Sequence, residues 1–173
     1  MLTLLIDRIA TPLGAFALVA DEEGRLHAAE WTDCMDRIER SLRLLHGADG
    51  YTLKNARNPG GHSAALRAYF SGDIAAIDKL PVAKIGTEFQ QLMWRNLRKL
   101  PAGKTMAYSD FASRIGKPAA IRAVGAANGA NPISVVVPCH RLIGANGSLT
   151  KYGGGLHRKQ WLLEHEQSRL STA

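Results

Sequence analysis

The sequence predicts an α/β protein in two parts, a strand-rich α/β unit followed by a mostly helical unit with a helix-turn-helix. Three observations carry that prediction. Apolar segments of strand length, separated by turn residues, crowd the start of the chain. From Thr87 onward apolar residues recur at helical spacing. The charge is also split unevenly: residues 1–86 hold 10 Lys/Arg against 11 Asp/Glu, net −1, whereas residues 87–173 hold 12 against 4, net +8. A half that basic suits a polyanion, and nucleic acid is the commonest one in a cytosol. Charge alone does not separate this from a basic surface that aids solubility.

In the first half, strands are expected over 4–11 and 15–20, with Asp21-Glu22-Glu23-Gly24 as a turn before a third over 25–31. Met35, Ile38, Leu42 and Leu45 mark a helix closed by Gly47. A second helix fits 63–70, with Leu66, Tyr69 and Phe70 on one face and Asn58-Pro59-Gly60-Gly61 as its entry loop. The pattern changes over 81–86, which divides the chain into domains at 1–86 and 87–173. Thr87 and Gln90 form a capping-box signature for a helix with Phe89, Leu92, Met93, Leu97 and Leu100 on its apolar stripe, ended by Pro101-Ala102-Gly103. Two short helices follow, over 109–115 and 118–128, joined through Gly116. Ser109 is the expected cap of the first, and Pro118 belongs to the first turn of the second. Such a pair is a helix-turn-helix candidate. The apolar run 133–137 reads as a buried strand or extended segment stopped by Pro138. Gly153-Gly154-Gly155 is a loop before a last helix holding Trp161, Leu162 and Leu163, and 167–173 is expected to fray.

Composition excludes several classes. With 46% hydrophobic and 21% charged residues the chain is neither disordered nor fibrous. No apolar run approaches the roughly 18 residues of a membrane span, and the run at 2–6 is too short for a signal peptide. The two cysteines, Cys34 and Cys139, allow one bridge at most, so reduced thiols in a cytoplasmic protein are expected. Cys34, beside a helix start, reads as structural.

Cys139 is different. It lies in Pro138-Cys139-His140-Arg141, at the end of a buried run in the basic half, where neighbouring cations favour the nucleophilic thiolate. In an extended segment Cys139 and His140 would point apart, so their cooperation requires a turn or a bridging water. Zinc chemistry does not fit: Leu142 stands where a deaminase has its second cysteine, and Glu164-His165-Glu166 lacks a paired histidine. The Gly153 triplet is no phosphate loop, because no Gly-Lys-Ser/Thr follows it.

The run Ile133-Ser134-Val135-Val136-Val137-Pro138-Cys139-His140-Arg141 resembles the active-site signature of the O6-alkylguanine-DNA alkyltransferases. The likeness extends from Arg122-Ala123-Val124-Gly125 through Asn131-Pro132 to Tyr152, Gly154-Gly155 and Trp161-Leu162-Leu163-Glu164-His165-Glu166. Ile9-Ala10-Thr11-Pro12-Leu13-Gly14 and Asn58-Pro59-Gly60-Gly61 are similar to the shorter bacterial members. The resemblance implies a ribonuclease-H-like α/β domain followed by a winged helix-turn-helix. It makes Cys139 the alkyl acceptor, His140 its base through a water, and Glu166 the residue that orients the histidine. It makes Tyr108, just before the first short helix, the residue that turns the target phosphate. DNA contacts would come from Arg122, Ala123, Gly125, Ala126, Ala127 and Asn128, with Arg122 filling the space of a flipped guanine. Asn131, Pro138, Arg141, Tyr152, Gly153 and Gly154 would shape the pocket and its turn; many relatives have Ser where Gly153 stands.

The implied reaction is single-turnover transfer of an alkyl group from guanine O6 in double-stranded DNA to Cys139, with O4-alkylthymine left open as a second substrate. No cofactor and no metal are expected, since Cys34 is the only cysteine available for the zinc site of some relatives. A monomer is expected, with no membrane association and no alkyl-sensor module ahead of Met1. The alternative is a non-catalytic alkyltransferase-like protein that only marks lesions; those lack the acceptor cysteine that this chain retains.

Overall fold

The computed structural model describes residues 1–171. They form two compact units. The first comprises Met1–Ile85 together with Pro132–Val136, and the second Gly86–Asn131 together with the chain from Val137. This differs from a contiguous division at 86/87 in one segment, and the edge of a sheet explains why.

The first unit holds a four-stranded sheet of β1 (Leu2–Thr11), β2 (Gly14–Asp21), β3 (Leu26–Trp31) and β4 (Tyr51–Asn55), in the order β3-β2-β1-β4. The first three strands form the expected antiparallel meander, whereas β4 joins β1 in parallel. β4 was not expected: four of its five residues are exposed, so it lacks the apolar alternation of a half-buried strand. β3 lies at the other edge, yet every residue in it is buried. Its free backbone groups are met by other segments of the unit. Leu26 N donates to Pro81 O and Ala83 N to Leu26 O; Ala29 N donates to Pro132 O and Ser134 N to Ala29 O, at 2.8–2.9 Å. Buried backbone groups need partners, and Pro132–Val136 supplies them for β3. The buried Glu30 carboxylate holds the same segment, accepting from Ser134 Oγ at 3.0 Å.

Helices α1 (Met35–His46) and α2 (His62–Phe70) pack on opposite faces of this sheet. Ile38 and Leu42 of α1 join Leu4, Ile6, Ala17, Val19 and Ala28 in one core layer. The alternate residue Phe16 meets Trp31 and Phe70 on the other face, with ring centroids 5.0 and 6.1 Å apart.

The second unit begins with α3 (Glu88–Leu97), whose Thr87/Gln90 capping box forms in both directions. Its inward face is Met93, Trp94 and Leu97, with Leu100 buried just beyond the helix end, while Phe89 and Leu92 are only half-buried. Next come β5 (Met106–Ala107), α4 (Tyr108–Arg114) and α5 (Ile121–Gly129). Two cap expectations need correction. The N-cap of α4 is Ala107, without a side-chain cap, so Ser109 caps nothing and Tyr108 is the first helical residue rather than one before it. Pro118 lies ahead of α5, because 117–120 first close a turn through Ala120 N to Lys117 O. Gly116 ends α4 as expected, and its φ of 75° explains the residue type: Gly116 N donates to Ser113 O and Lys117 N to Ala112 O, the two bonds of a Schellman motif. β6 (Leu142–Ile143) pairs with β5 in parallel, and α6 (Leu156–Ser171) closes the unit. The helix continues through the 167–171 stretch expected to fray; 172 and 173 lie outside the described residues.

Candidate active site

The run 133–137 is buried, but it is a chain of tight turns rather than a strand; only Ile133 makes a bridge, with Ala29. Val135 has a φ of 73°, and Val136 N donates to Ser134 O, the geometry of the rare γ-turn of positive φ. At Pro138 the backbone is at φ −81° and ψ 64°, with Cys139 N donating to Val137 O at 2.8 Å, an inverse γ-turn. Cys139–Arg141 then form one turn of 3-10 helix. Cys139 and His140 are therefore on a turn rather than an extended strand, with their side chains about 120° apart around its axis, so their cooperation calls for a bridging water.

Two asparagines hold this turn. Asn131 Nδ2 donates to Val137 O at 2.8 Å and Asn128 Nδ2 to Cys139 O at 3.2 Å. Both are buried, so the carbonyls of Val137 and of Cys139 itself are fixed from the end of α5 and just beyond it. The indole of Trp94 donates to Ala127 O at 2.9 Å, tying α3 to the same helix end.

His140, Arg141 and Glu166 are buried together. His140 Nε2 lies 2.8 Å from Glu166 Oε1; Arg141 donates from its Nη2 to Oε1 at 2.9 Å and from its Nε to Oε2 at 3.0 Å, and Gly103 N reaches Oε2 at 3.3 Å. Arg141 Nη1 donates to Leu100 O at 2.6 Å. Burial alone would push the Glu166 carboxyl up, but His140 and Arg141 more than reverse this and hold it well below the usual carboxylate range. Glu166 is thus an anion that only accepts, so the His140 proton sits on Nε2. His140 Nδ1 is buried and has no hydrogen-bond partner among the described residues.

Nothing in the sequence singles out Lys159, yet its side chain is fully buried and donates to Leu142 O at 2.6 Å. No carboxylate among the described residues pairs with it. Burial pushes the Lys159 amine below its usual range, and the Cys139 sulfur, as thiolate, acts against that fall. A buried cation whose charge acts on a cysteine lowers the cost of ionising the thiol.

Tyr108 Oη is 2.9 Å from Thr150 Oγ1, at the start of α4 and directly after the rung that pairs Ala107 with Ile143. Tyr152 is half-buried in a turn closed by Gly155 N to Tyr152 O; Gly153 is exposed, Gly154 is buried, and Gly155 is the one of the three with positive φ, at 96°. On α5, Arg122, Ala123 and Ala126 are exposed and Gly125 is half-buried. Ala127 and Asn128 are corrections to the set of DNA contacts. Helical spacing turns them inward with Val124; Asn128 holds the Cys139 turn, and Ala127 O accepts from Trp94.

A cysteine on a tight turn, a histidine held by a carboxylate and a buried lysine are the parts that thiol chemistry in a protein would use. Residues 5–83 match the ribonuclease-like domain of 6-O-methylguanine DNA methyltransferase, and residues 88–168 match its DNA-binding domain. The methylated-DNA–protein-cysteine methyltransferase of Salmonella typhimurium is 54% identical over 166 residues, covering 96% of this chain and 97% of that one. The protein of the same name from Methanosarcina barkeri is 39% identical, covering 95% and 98%. Among solved structures, Mycobacterium tuberculosis OGT in complex with DNA superposes with a TM-score of 0.75 at 37% identity, covering 96% of this chain and 94% of that one. The chain belongs to the 6-O-methylguanine DNA methyltransferase family, and its α/β and mostly helical units have that family's two-domain architecture.

Proposed function

We propose that this chain repairs DNA by direct reversal, drawing O6-alkylguanine out of the duplex and moving its alkyl group irreversibly onto Cys139 Sγ. The carrying observation is the Glu166–His140 pair, which directs Nε2 to the carboxylate and leaves Nδ1 of the residue next to the nucleophile without a hydrogen-bond partner among the described residues. His140 takes the thiol proton through a bridging water, sulfur attacks the alkyl carbon in line, and the bond from that carbon to O6 breaks as the S–C bond forms. The proton lost by sulfur balances the one that the restored guanine gains. Tyr108 is the donor toward the base, and Tyr152 with the turn after it lines the alkyl pocket. The product is a thioether, with neither a carbonyl for water nor a disulfide for thiols, so the protein acts once. It works as a monomer in the cytoplasm, with its own two cysteines reduced.

The stoichiometry tests this directly. Intact mass spectrometry after incubation with excess O6-methylguanine duplex should show one added methyl per chain, mapped to Cys139. Repeated turnover, or a methyl on Cys34, contradicts the proposal.

Extrusion of the base is assigned to α5. Arg122 is exposed there among the small residues Ala123, Gly125 and Ala126. A Cβ added to Gly125 would meet no atom within 4 Å, so packing does not demand the glycine, and the face suits close approach of a nucleic-acid backbone. Flipping costs a few kcal/mol of stacking and pairing, part of which Arg122 offsets by stacking in the vacated space. Arg122→Ala should slow repair of a paired lesion by about tenfold, leave repair of the free base near the parent rate, and recover partly on a lesion opposite an abasic site. Single-turnover rates on the three substrates give the comparison; equal slowing on all three removes the wedge role.

A further inference from the structure

The first unit contains a basic concavity that the alkyl-transfer chemistry does not use. β4 stops at Asn55, whose last register partner is Ile6, and Ala56 N donates to Ile6 O at 3.0 Å. β1 runs on to Thr11 without a partner on that side, while the chain swings away through Arg57 into the loop before α2. The gap is a cavity of about 470 Å³, with Asp7, Arg8, Asn55, Arg57 and Arg67 in its lining. It is open to solvent and lies where the β1–β4 pairing ends.

Its charges are unusual for a half-chain of net charge −1. Arg25, Arg37 and Arg40 of the same unit each pair with a carboxylate, Asp21, Glu30 and Asp36 respectively. Among the described residues, Arg8, Arg57 and Arg67 form no ion pair within 4 Å; Arg8 Nη1 donates to Asn55 Oδ1 at 3.4 Å, and the Arg67 charge acts at longer range on the Asp7 carboxylate. The single carboxylate in the lining, Asp7, is already engaged. Its Oδ1 accepts from Arg8 N at 2.8 Å, and its Oδ2 from Asn58 N at 2.9 Å and Ser63 Oγ at 2.6 Å, which ties β1 to the loop before α2. Three guanidiniums against one committed carboxylate leave an excess of two positive charges around a single cavity.

We propose that this cavity is a phosphate-binding site, in which Arg8, Arg57 and Arg67 take the phosphate group of a nucleotide or of a nucleic-acid strand. Guanidinium forks match phosphate oxygens in geometry and stay charged at every working pH. The site is independent of Cys139, and its test does not pass through methyl transfer.

The experiment follows the arginine Nε–H signals of the full-length protein by NMR, with chloride at matched ionic strength as the reference. The probes are inorganic phosphate, adenosine 5′-monophosphate and an unmodified single-stranded oligonucleotide. Saturable shifts at Arg8, Arg57 and Arg67 are expected, with affinity about tenfold weaker in an Arg57→Gln/Arg67→Gln variant and unchanged in Arg40→Gln. Tighter binding of the oligonucleotide than of the mononucleotide identifies the source as a strand, and the reverse order identifies a free phosphomonoester. Shifts that never saturate, or that match chloride, overturn the proposal, as does a double variant that binds like the parent while melting at the parent temperature.

Discussion

Glu166→Gln should reduce the single-turnover methyl-transfer rate by about 100-fold while leaving affinity for undamaged duplex near that of the parent. The side chain keeps its shape but loses the charge that accepts from His140 Nε2 and from two nitrogens of Arg141. A glutamine amide can donate as well as accept, so it no longer fixes the proton on Nε2, and the tautomer with a protonated Nδ1 cannot serve as base. The same change leaves the buried Arg141 without its anion. Breaking a buried pair on one side costs about 3–5 kcal/mol, which for a chain of this size lowers Tm by roughly 10 °C. The pH dependence separates this from loose packing. Because the folded Glu166 carboxyl lies below its unfolded value, its stabilisation is fully present above the ordinary carboxylate range and is lost as pH falls below about 4.3. The variant should show a flatter loss of stability below that pH than the parent. A variant that transfers methyl at the parent rate would mean that Glu166 is only a charge at the end of a helix.

The parts of the fold visible in the sequence are those set by local chemistry. The Thr87/Gln90 capping box, Gly116 as the end of α4 and the β1–β3 meander each depend on residues within one element or one turn. β4 was hidden because its five residues are held by pairing with β1, 49 positions earlier in register, and not by an apolar pattern of their own. The 133–137 run misled for the opposite reason. A β-branched apolar stretch between two prolines satisfies every local preference for a strand, and only the structure shows Val135 at positive φ. The inward turn of Ala127 and Asn128 was within reach, since the 3.6-residue period already places them with Val124. At the site, Cys139, His140 and Glu166 carried a recognisable signature. The use of Arg141 as a two-nitrogen partner for Glu166 rests on a fold-level meeting of residues 25 positions apart. Lys159 was hidden most completely: in sequence it is one more cation in a basic half, and only its burial gives it a task.

That task predicts a change in pH profile that no packing defect would imitate. Lys159→Met keeps the volume and the apolar stem but removes the buried cation that acts on Cys139. An opposite charge in such a position moves a pKa by about 1–3 units, so the apparent pKa of the transfer reaction should rise by about 2 units. Where the thiol is mostly protonated, the thiolate fraction then falls about 100-fold. Each remaining thiolate is a stronger nucleophile, by about sixfold for a Brønsted slope near 0.4. The two effects partly cancel, and at pH values where both thiols are mostly protonated the net loss should be about 15-fold. At pH values above both apparent pKa values every thiol is ionised, the fraction no longer matters, and the more basic thiolate should make the variant equal to or faster than the parent. The profiles should therefore cross. The measurement is the single-turnover rate with free O6-methylguanine base, which needs no DNA binding, from pH 5 to pH 10, with the bromobimane labelling rate of Cys139 as an independent report of its ionisation. A rate reduced by one constant factor at every pH would assign Lys159 to the fold through its bond to Leu142 O, and the thiolate of Cys139 would have to be held by other means.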